Sequence, residues 1–185
     1  MSTPRWAVLG TLVAAPALDR PDLLGVPVAA ALKGFDPADA ALVGVAAIDP
    51  DLADTAAFCE AYASPLAGSA NCVVVAGKRG GEVRYAACLV LATTRADVNG
   101  FVRKHLDVRK ASFAPMDDAC ERTGMEYGGI TPIGLPEGWP ILVDAAVAAA
   151  PEVVIGSGIR GSKLALPGEL AARLPGAEVV EGLGR

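Results

Sequence analysis

The sequence predicts an α/β protein in which a mixed β-sheet is flanked by short helices. Short β-branched runs are separated by segments of helical periodicity, but the two types do not alternate strictly, which favours a mixed sheet over a doubly wound one. Of the 185 residues, 52% are hydrophobic but only 5% are aromatic. We therefore expect a mainly aliphatic core, within a single domain that carries a small N-terminal elaboration.

In the first part of the chain, apolar spacing and turn residues predict two helices and a strand. A helix over residues 22–32 is expected to end in a left-handed cap at Gly34. A strand is expected within residues 41–48, and Asp49-Pro50-Asp51 begins a helix that extends to Tyr62.

The middle of the chain contains the clearest hairpin pattern. Residues 72–76 and 83–93 are continuous β-rich runs, joined by the Gly-rich segment 77–81. Neither run alternates between apolar and polar residues, so both faces are expected to be buried. Residues 97–106 have helical spacing.

The last part of the chain is predicted to contain shorter elements. The expected helices cover residues 116–122, 145–150 and 167–173, and the expected strands cover residues 141–144, 153–155 and 162–166. Residues 128–140 are rich in Gly and Pro and are expected to form a loop.

Charge and cysteine spacing limit the classes of function. The net charge is −5, which argues against strong nonspecific binding to nucleic acid, although residues 78–122 carry +3 and offer a phosphate-facing surface. No apolar run is long enough to span a bilayer, so no membrane partner is expected. The four cysteines form no CxxC pair, which favours reduced thiols in a cytoplasmic protein over a zinc site. We expect neither a metal nor a cofactor.

Two Gly-rich segments, 128–136 and 156–158, stand out as candidate binding loops. Glycine allows a backbone to approach a ligand closely and to present N–H groups to its oxygens. Neither segment has the spacing of a P-loop or of a dinucleotide fingerprint. Tight structural turns remain the alternative interpretation.

Residues 127–136, Tyr-Gly-Gly-Ile-Thr-Pro-Ile-Gly-Leu-Pro, resemble the Gly-x-x-x-Pro loop of the YbaK family of aminoacyl-tRNA editing domains. That family includes the insertion domain of bacterial prolyl-tRNA synthetase and its free-standing, trans-editing relatives. Val143-Asp144, and residues 155–158 with the segment that follows them, resemble later family features. The resemblance covers a core at residues 49–175, after an N-terminal elaboration at residues 1–48.

The resemblance implies a curved mixed sheet and a pocket for the 3′-terminal adenosine of tRNA and its amino acid, whose ester is hydrolysed. A synthetase is a possible second partner. An activated ester needs little more than a positioned water and a stabilised oxyanion. The candidate catalytic residues are Asn71, Gly128, Gly129 and Thr131. The candidate substrate-binding residues are Cys72, Ile130, Pro132, Asp144, Gly156, Ser157 and Gly158.

The chain departs from the family pattern at Asn71, where members usually have a lysine. An amide in place of an ammonium loses a charge-assisted contact. Either Lys78 or another basic side chain replaces that contact, or the substrate differs, or the protein binds without efficient catalysis. Three functions therefore remain open: a trans-acting aminoacyl-tRNA deacylase, a non-catalytic binding protein, and a hydrolase for another small ester. His105, the only histidine, is expected to be structural.

Overall fold

The computed structural model describes residues 5–185, and within that range the backbone forms nine strands and seven α-helical segments. The strands are β1 (Ala15–Pro16), β2 (Gly44–Ala47), β3 (Ala70–Arg79), β4 (Glu82–Leu91), β5 (Lys110–Phe113), β6 (Ile141–Asp144), β7 (Val153–Gly156), β8 (Ser162–Leu166) and β9 (Ala177–Val180). The helices are α1 (Val26–Lys33), α2 (Pro37–Ala40), α3 (Thr55–Tyr62), α4 (Arg103–His105), α5 (Met116–Thr123), α6 (Ala145–Ala148) and α7 (Gly168–Ala171). None of these helices is long and apolar enough to cross a membrane.

The strands of residues 5–185 are arranged in two sheets. The first sheet has the order β1-β2-β8-β7, and the second has the order β5-β3-β4-β6-β9. In the second sheet β3 is antiparallel to β4 and β5, whereas β4, β6 and β9 run parallel. The predicted α/β class with a mixed sheet is therefore confirmed. A parallel bridge between Ser69 and Val154 joins the two sheets at β3 and β7.

The predicted hairpin is confirmed as the pair β3–β4, with a continuous register from Ala70↔Leu91 to Arg79↔Glu82. Its turn contains only Gly80 and Gly81, with φ of 57° and 86°. Two successive positive φ values match the twist of a tight two-residue hairpin, which is why two glycines occupy this turn. Residues 86–90 are all buried, as expected for a strand covered on both faces.

The helix predicted over residues 22–32 is wrong at its start. Pro21–Leu23 forms a separate 3₁₀ turn, and α1 begins only after Gly25. The backbone N–H of Gly25 donates to Ser157 O at 2.9 Å, and a Cβ there would lie 2.9 Å from Gly158 Cα, so this close contact requires a glycine immediately before α1. The predicted left-handed cap at Gly34 is also wrong, because its φ is −88°.

Three further elements differ from the sequence predictions. The helix predicted to begin at Asp49-Pro50-Asp51 is also wrong at its start, because Pro50–Leu52 is a separate 3₁₀ turn and α3 begins at Thr55. The helix expected over residues 97–106 is a wide π-helical turn, Val98–Val102, followed by the three-residue α4. Asp97 caps the turn by accepting from the N–H groups of Gly100 and Phe101. Strand β9 was not predicted, because four residues give too short a pattern to indicate a strand. Two of them are exposed, and the strand forms by pairing with β6.

The main core lies between the two sheets and helices α1, α6 and α7, and is largely aliphatic, as Val28, Leu89 and Leu164 illustrate. A second cluster covers the opposite face of the second sheet, where Val102 and Leu106 pack on β3 and β4. The N-terminal residues contribute directly to the first sheet, because β2 pairs with both β1 and β8.

Candidate functional site

A cavity of about 500 Å³ lies where the two sheets separate beyond the Ser69–Val154 bridge. Its walls come from the start of α3, the start of β3, the β5–α5 connection, the loop after α5, and strands β7 and β8. The lining residues are Ala53, Asp54, Thr55, Phe58, Ser69, Ala70, Asn71, Cys72, Val73, Val74, Phe113, Ala114, Met116, Ala119, Tyr127, Gly128, Ile130, Val154, Ile155, Gly156 and Lys163. We call this cavity the pocket.

One wall of the pocket is a free strand edge. Strand β5 pairs with β3 only from Val75 to Lys78, and Ala114 N donates to Val74 O at 2.8 Å. Within residues 5–185, no strand therefore pairs with residues 71–73 on that side. Backbone N–H and C=O groups at such an edge are available to a ligand. The strand pairing therefore creates a potential binding edge at the start of β3.

Lys163 provides the cation of the pocket. Its side chain is only 7% exposed, and its Nζ donates to Ala53 O at 2.7 Å and lies 5.6 Å from the centre of the Phe58 ring. Burial lowers the pKa of this ammonium, partly offset by the charge of Asp54. An ammonium has three donors, and only one has a protein partner within residues 5–185. The other two are available to a ligand in the pocket.

Asn71 lies in the same pocket and is held by Thr55. The Thr55 hydroxyl donates to Asn71 Oδ1 at 2.8 Å, which orients the amide. The amide nitrogen has no hydrogen-bond partner in the described chain, so it offers neutral donors close to the start of β3.

The two Gly-rich loops pack backbone against backbone. Gly158 N donates to Gly129 O at 2.7 Å. A Cβ on Gly129 would lie 2.6 Å from Ile159 O, and a Cβ on Gly156 would lie 2.5 Å from Gly129 O. These two glycines are required by the close approach of the loops. The loop contact in turn holds Gly128 and Ile130 against the pocket.

Exposed apolar side chains surround the mouth of the pocket. Phe113 and Tyr127 are each 59% exposed, and Met116 is 50% exposed. The interior has smaller side chains, among them Ala53, Ala70, Cys72, Ala114 and Ala119. The pocket is thus open and aromatic at its rim, and its interior combines small apolar side chains with the polar groups of Asn71 and Lys163.

Five of the eleven site residues predicted from the sequence line the pocket: Asn71, Cys72, Gly128, Ile130 and Gly156. The other six do not line the pocket; they are Gly129, Thr131, Pro132, Asp144, Ser157 and Gly158. Among the polar ones, Asp144 caps α6 by accepting from Ala146 N at 2.9 Å, and it also accepts from Gly184 N at 2.8 Å.

Thr131 and Ser157 are both fully buried, but their surroundings differ. Ser157 Oγ lies 2.7 Å from Ser162 Oγ, in a network that ties the second Gly-rich loop to β8. Thr131 Oγ1 has no partner within the described residues. Neither hydroxyl is exposed to the pocket, so the structure gives both a place in the loop scaffold.

Cys72 and His105 have surroundings that do not favour the role of a nucleophile or a base. Burial raises the pKa of the Cys72 thiol well above its usual range, so a thiolate is disfavoured. His105 lies on α4, outside the pocket, with Nε2 at 3.4 Å from Glu178 Oε2 and its ring stacked on Phe101.

Sequence reasoning did not identify the lysine that enters the pocket. Lys78, named as one basic residue that could replace the missing lysine, lies outside the pocket near the far end of β3. Lys163 is instead inside it. Its signal in the sequence was a single charge in the otherwise uncharged strand Ser162–Leu166, every residue of which is buried.

The chain is similar to known proteins in both sequence and fold. A family model described as "aminoacyl-tRNA editing domain" matches residues 49–174. A crystal structure of a proposed trans-editing enzyme for prolyl-tRNA synthetase aligns with a TM-score of 0.69 at 20% identity, covering 90% of this chain and 96% of that one.

Two further solved structures share the fold. A scaffold from a study of computational epitope grafting aligns with a TM-score of 0.70 at 20% identity, covering 85% of this chain and 95% of that one. The hypothetical protein APE2540 aligns with a TM-score of 0.63 at 18% identity, covering 72% and 85%. At these identities the structural matches establish the fold alone.

Proposed function

Because the chain belongs to the aminoacyl-tRNA editing domain family, we propose that it is a deacylase that hydrolyses the ester of mischarged tRNA in trans. The observation that carries the proposal is the buried Lys163 ammonium, whose two unshared donors lie in a pocket beside a free strand edge. The reaction would remove wrong amino acids before translation, in the cytoplasm, alone or together with a synthetase.

The shape of the pocket suits an aminoacyl-adenosine end. Adenine has an apolar face that stacks on aromatic side chains, and Phe113 and Tyr127 provide such surfaces at the rim. The amino acid then extends inward, towards Cys72 and the alanines that line the interior. We expect the interior to favour an amino acid with a small side chain, such as Ala, Ser or Cys.

The proposed chemistry is attack of water on the ester carbonyl. The water oxygen bonds to the carbonyl carbon, the bond from that carbon to the ribose oxygen breaks, and the ribose oxygen takes up the proton that the water gives up. Negative charge develops on the carbonyl oxygen, where a positioned ammonium or backbone N–H stabilises it. Lys163 is our candidate for that group, and Asn71 is our candidate for orienting the ester or the water. In this mechanism Gly128, Gly129 and Thr131, which the sequence suggested as catalytic residues, support the backbone of the pocket instead.

A binding protein without turnover is the second candidate. It is favoured by Asn71, whose side-chain amide is neutral and whose Oδ1 already accepts a hydrogen bond from the Thr55 hydroxyl. In this case the protein binds an aminoacyl-adenosine analogue but leaves the ester intact.

Deacylation of a panel of mischarged tRNAs tests the proposal, including alanine and cysteine esters of the proline tRNA. We expect faster hydrolysis than in buffer, with a preference for small amino acids. Asn71→Lys serves as a comparison, because it adds a second cation at the start of β3. Binding without turnover by the wild type, together with turnover by Asn71→Lys, would favour the binding-protein alternative. The lack of both binding and turnover would refute both.

A further inference from the structure

A second depression, of about 1100 Å³, lies next to the pocket, across β3 and β5. Three exposed cations line it: Lys78, Arg109 and Lys110. None of them forms an ion pair with any residue in the part of the chain that the structure describes. We call this depression the basic groove.

The strand register places two of these cations directly opposite each other. Lys78 of β3 pairs with Lys110 of β5, and the N–H of Arg109 approaches Lys78 O at 3.4 Å. Like charges at directly opposed positions of an antiparallel pair destabilise the sheet. An anion between them converts this repulsion into attraction, so the arrangement favours a negatively charged ligand.

The nearby acidic side chain does not neutralise the groove. Asp118 lines it, but its Oδ2 accepts from the Tyr85 hydroxyl at 2.7 Å and its Oδ1 from Arg122 Nε at 2.7 Å. Lysines often protect an exposed strand edge from aggregation, which explains Lys110 on the edge strand β5. That explanation does not extend to Lys78, because β3 lies between β5 and β4.

The basic groove adjoins the pocket along β3 and β5. Ser112 lines the groove, and the next two residues, Phe113 and Ala114, line the pocket. On β3, Val74 of the pocket and Lys78 of the groove are four residues apart, or roughly 13 Å along the strand. A polyanion whose end occupies the pocket can therefore extend along the groove.

We propose that the basic groove binds the phosphate backbone of the tRNA acceptor stem while the aminoacylated end occupies the pocket. The inference rests on the proposed function. It accounts for a local excess of positive charge in a protein whose net charge is −5. Phosphate contacts of this kind position the RNA without reading its sequence.

The test compares the double variant Lys78→Gln/Lys110→Gln with the control Lys33→Gln/Arg95→Gln, which removes two exposed cations that line neither depression. Affinity for uncharged tRNA is measured as a function of salt. Because the groove variant neutralises two fewer phosphates, the slope of log K against log salt should become shallower by about 1.4–1.8. At moderate salt the affinity should fall on the order of ten-fold.

The second measurement uses two esters, an aminoacyl-tRNA and the same amino acid on a short 3′-terminal oligonucleotide. We expect the groove variant to raise KM for the tRNA only, with the control resembling the wild type. An unchanged salt slope, or an equal effect in the control, overturns the proposal. Weakened binding of an acidic peptide with unchanged tRNA binding also overturns it, and identifies a protein partner. If the wild type hydrolyses neither ester, the deacylase proposal fails, but the salt slope still decides the role of the groove.

Discussion

Replacing Lys163 by methionine removes the charge from the pocket at nearly constant side-chain volume. In the wild type, the ammonium has one acceptor among residues 5–185, Ala53 O at 2.7 Å, and Lys163 is 7% exposed. If its two free donors stabilise the ester oxygen, the variant loses a charge-assisted hydrogen bond of about 1.5–3 kcal/mol. We expect kcat/KM for deacylation to fall about 10- to 150-fold.

The stability of the same variant should change little, and this distinguishes a functional lysine from a structural one. Removing a desolvated ammonium is favourable, because methionine belongs in an apolar environment beside Phe58. The carbonyl of Ala53 loses its partner, at a cost of about 1–3 kcal/mol. Because these two effects oppose each other, we expect the free energy of unfolding to change by no more than about 1 kcal/mol.

The lowered pKa of Lys163 adds a pH dependence with a definite sign. The ordinary pKa is 10.5, and burial is the largest cause of its decrease in the folded state. Between the folded pKa and 10.5 the unfolded chain binds the extra proton, so wild-type stability rises with pH relative to Lys163→Met. Below the folded pKa, Lys163 is charged in both states, so the folded wild type bears the full free-energy cost of burying the ammonium. Activity that requires the ammonium should decrease as pH rises through the folded pKa.

The assay is steady-state deacylation with thermal unfolding of each variant, and Lys33→Met provides the matched control. Lys33 is exposed and lies outside the pocket. Undiminished kcat/KM in a folded Lys163→Met protein would refute the reasoning. So would a loss of activity that only parallels a loss of folded protein, since that result assigns Lys163 a structural role.

Three other sets of variants test separate parts of the site. Thr131→Val removes a buried hydroxyl that has no partner in residues 5–185; we expect an unchanged or higher melting temperature and undiminished deacylation, and a large loss of activity would restore a catalytic role. Gly129→Ala places a Cβ 2.6 Å from Ile159 O, so the melting temperature should fall by an amount corresponding to about 1–3 kcal/mol; a normal melting temperature contradicts the loop-packing argument. Phe113→Ala and Tyr127→Ala remove exposed rim side chains, and each should raise KM by a factor equivalent to about 1–3 kcal/mol of binding if it stacks on the adenine, without loss of stability; an unchanged KM in both excludes stacking at the rim.

Local patterns were sufficient for the elements whose determinants are close in sequence. The hairpin β3–β4 depends on two adjacent glycines between β-rich runs, and the start of α6 depends on the cap provided by Asp144. The start of α1 was not predictable in this way, because the contact between Gly25 and Gly158 joins segments far apart in the chain. Strand β9 also depends on a distant partner, β6.

By itself, the sequence determined the α/β class, the hairpin, the two Gly-rich loops and the family to which they point. Only the tertiary structure decided which residues form the pocket, since a strand pattern shows that a residue is buried but not what lies beside it. Gly129 packs against the backbone of Ile159, whereas Gly128 and Gly156 line the pocket. The lysine that lines the pocket, Lys163, comes from β8, whereas the start of β3 contributes Asn71. Strands that are distant in the chain meet there because burying the aliphatic faces of both sheets brings them together.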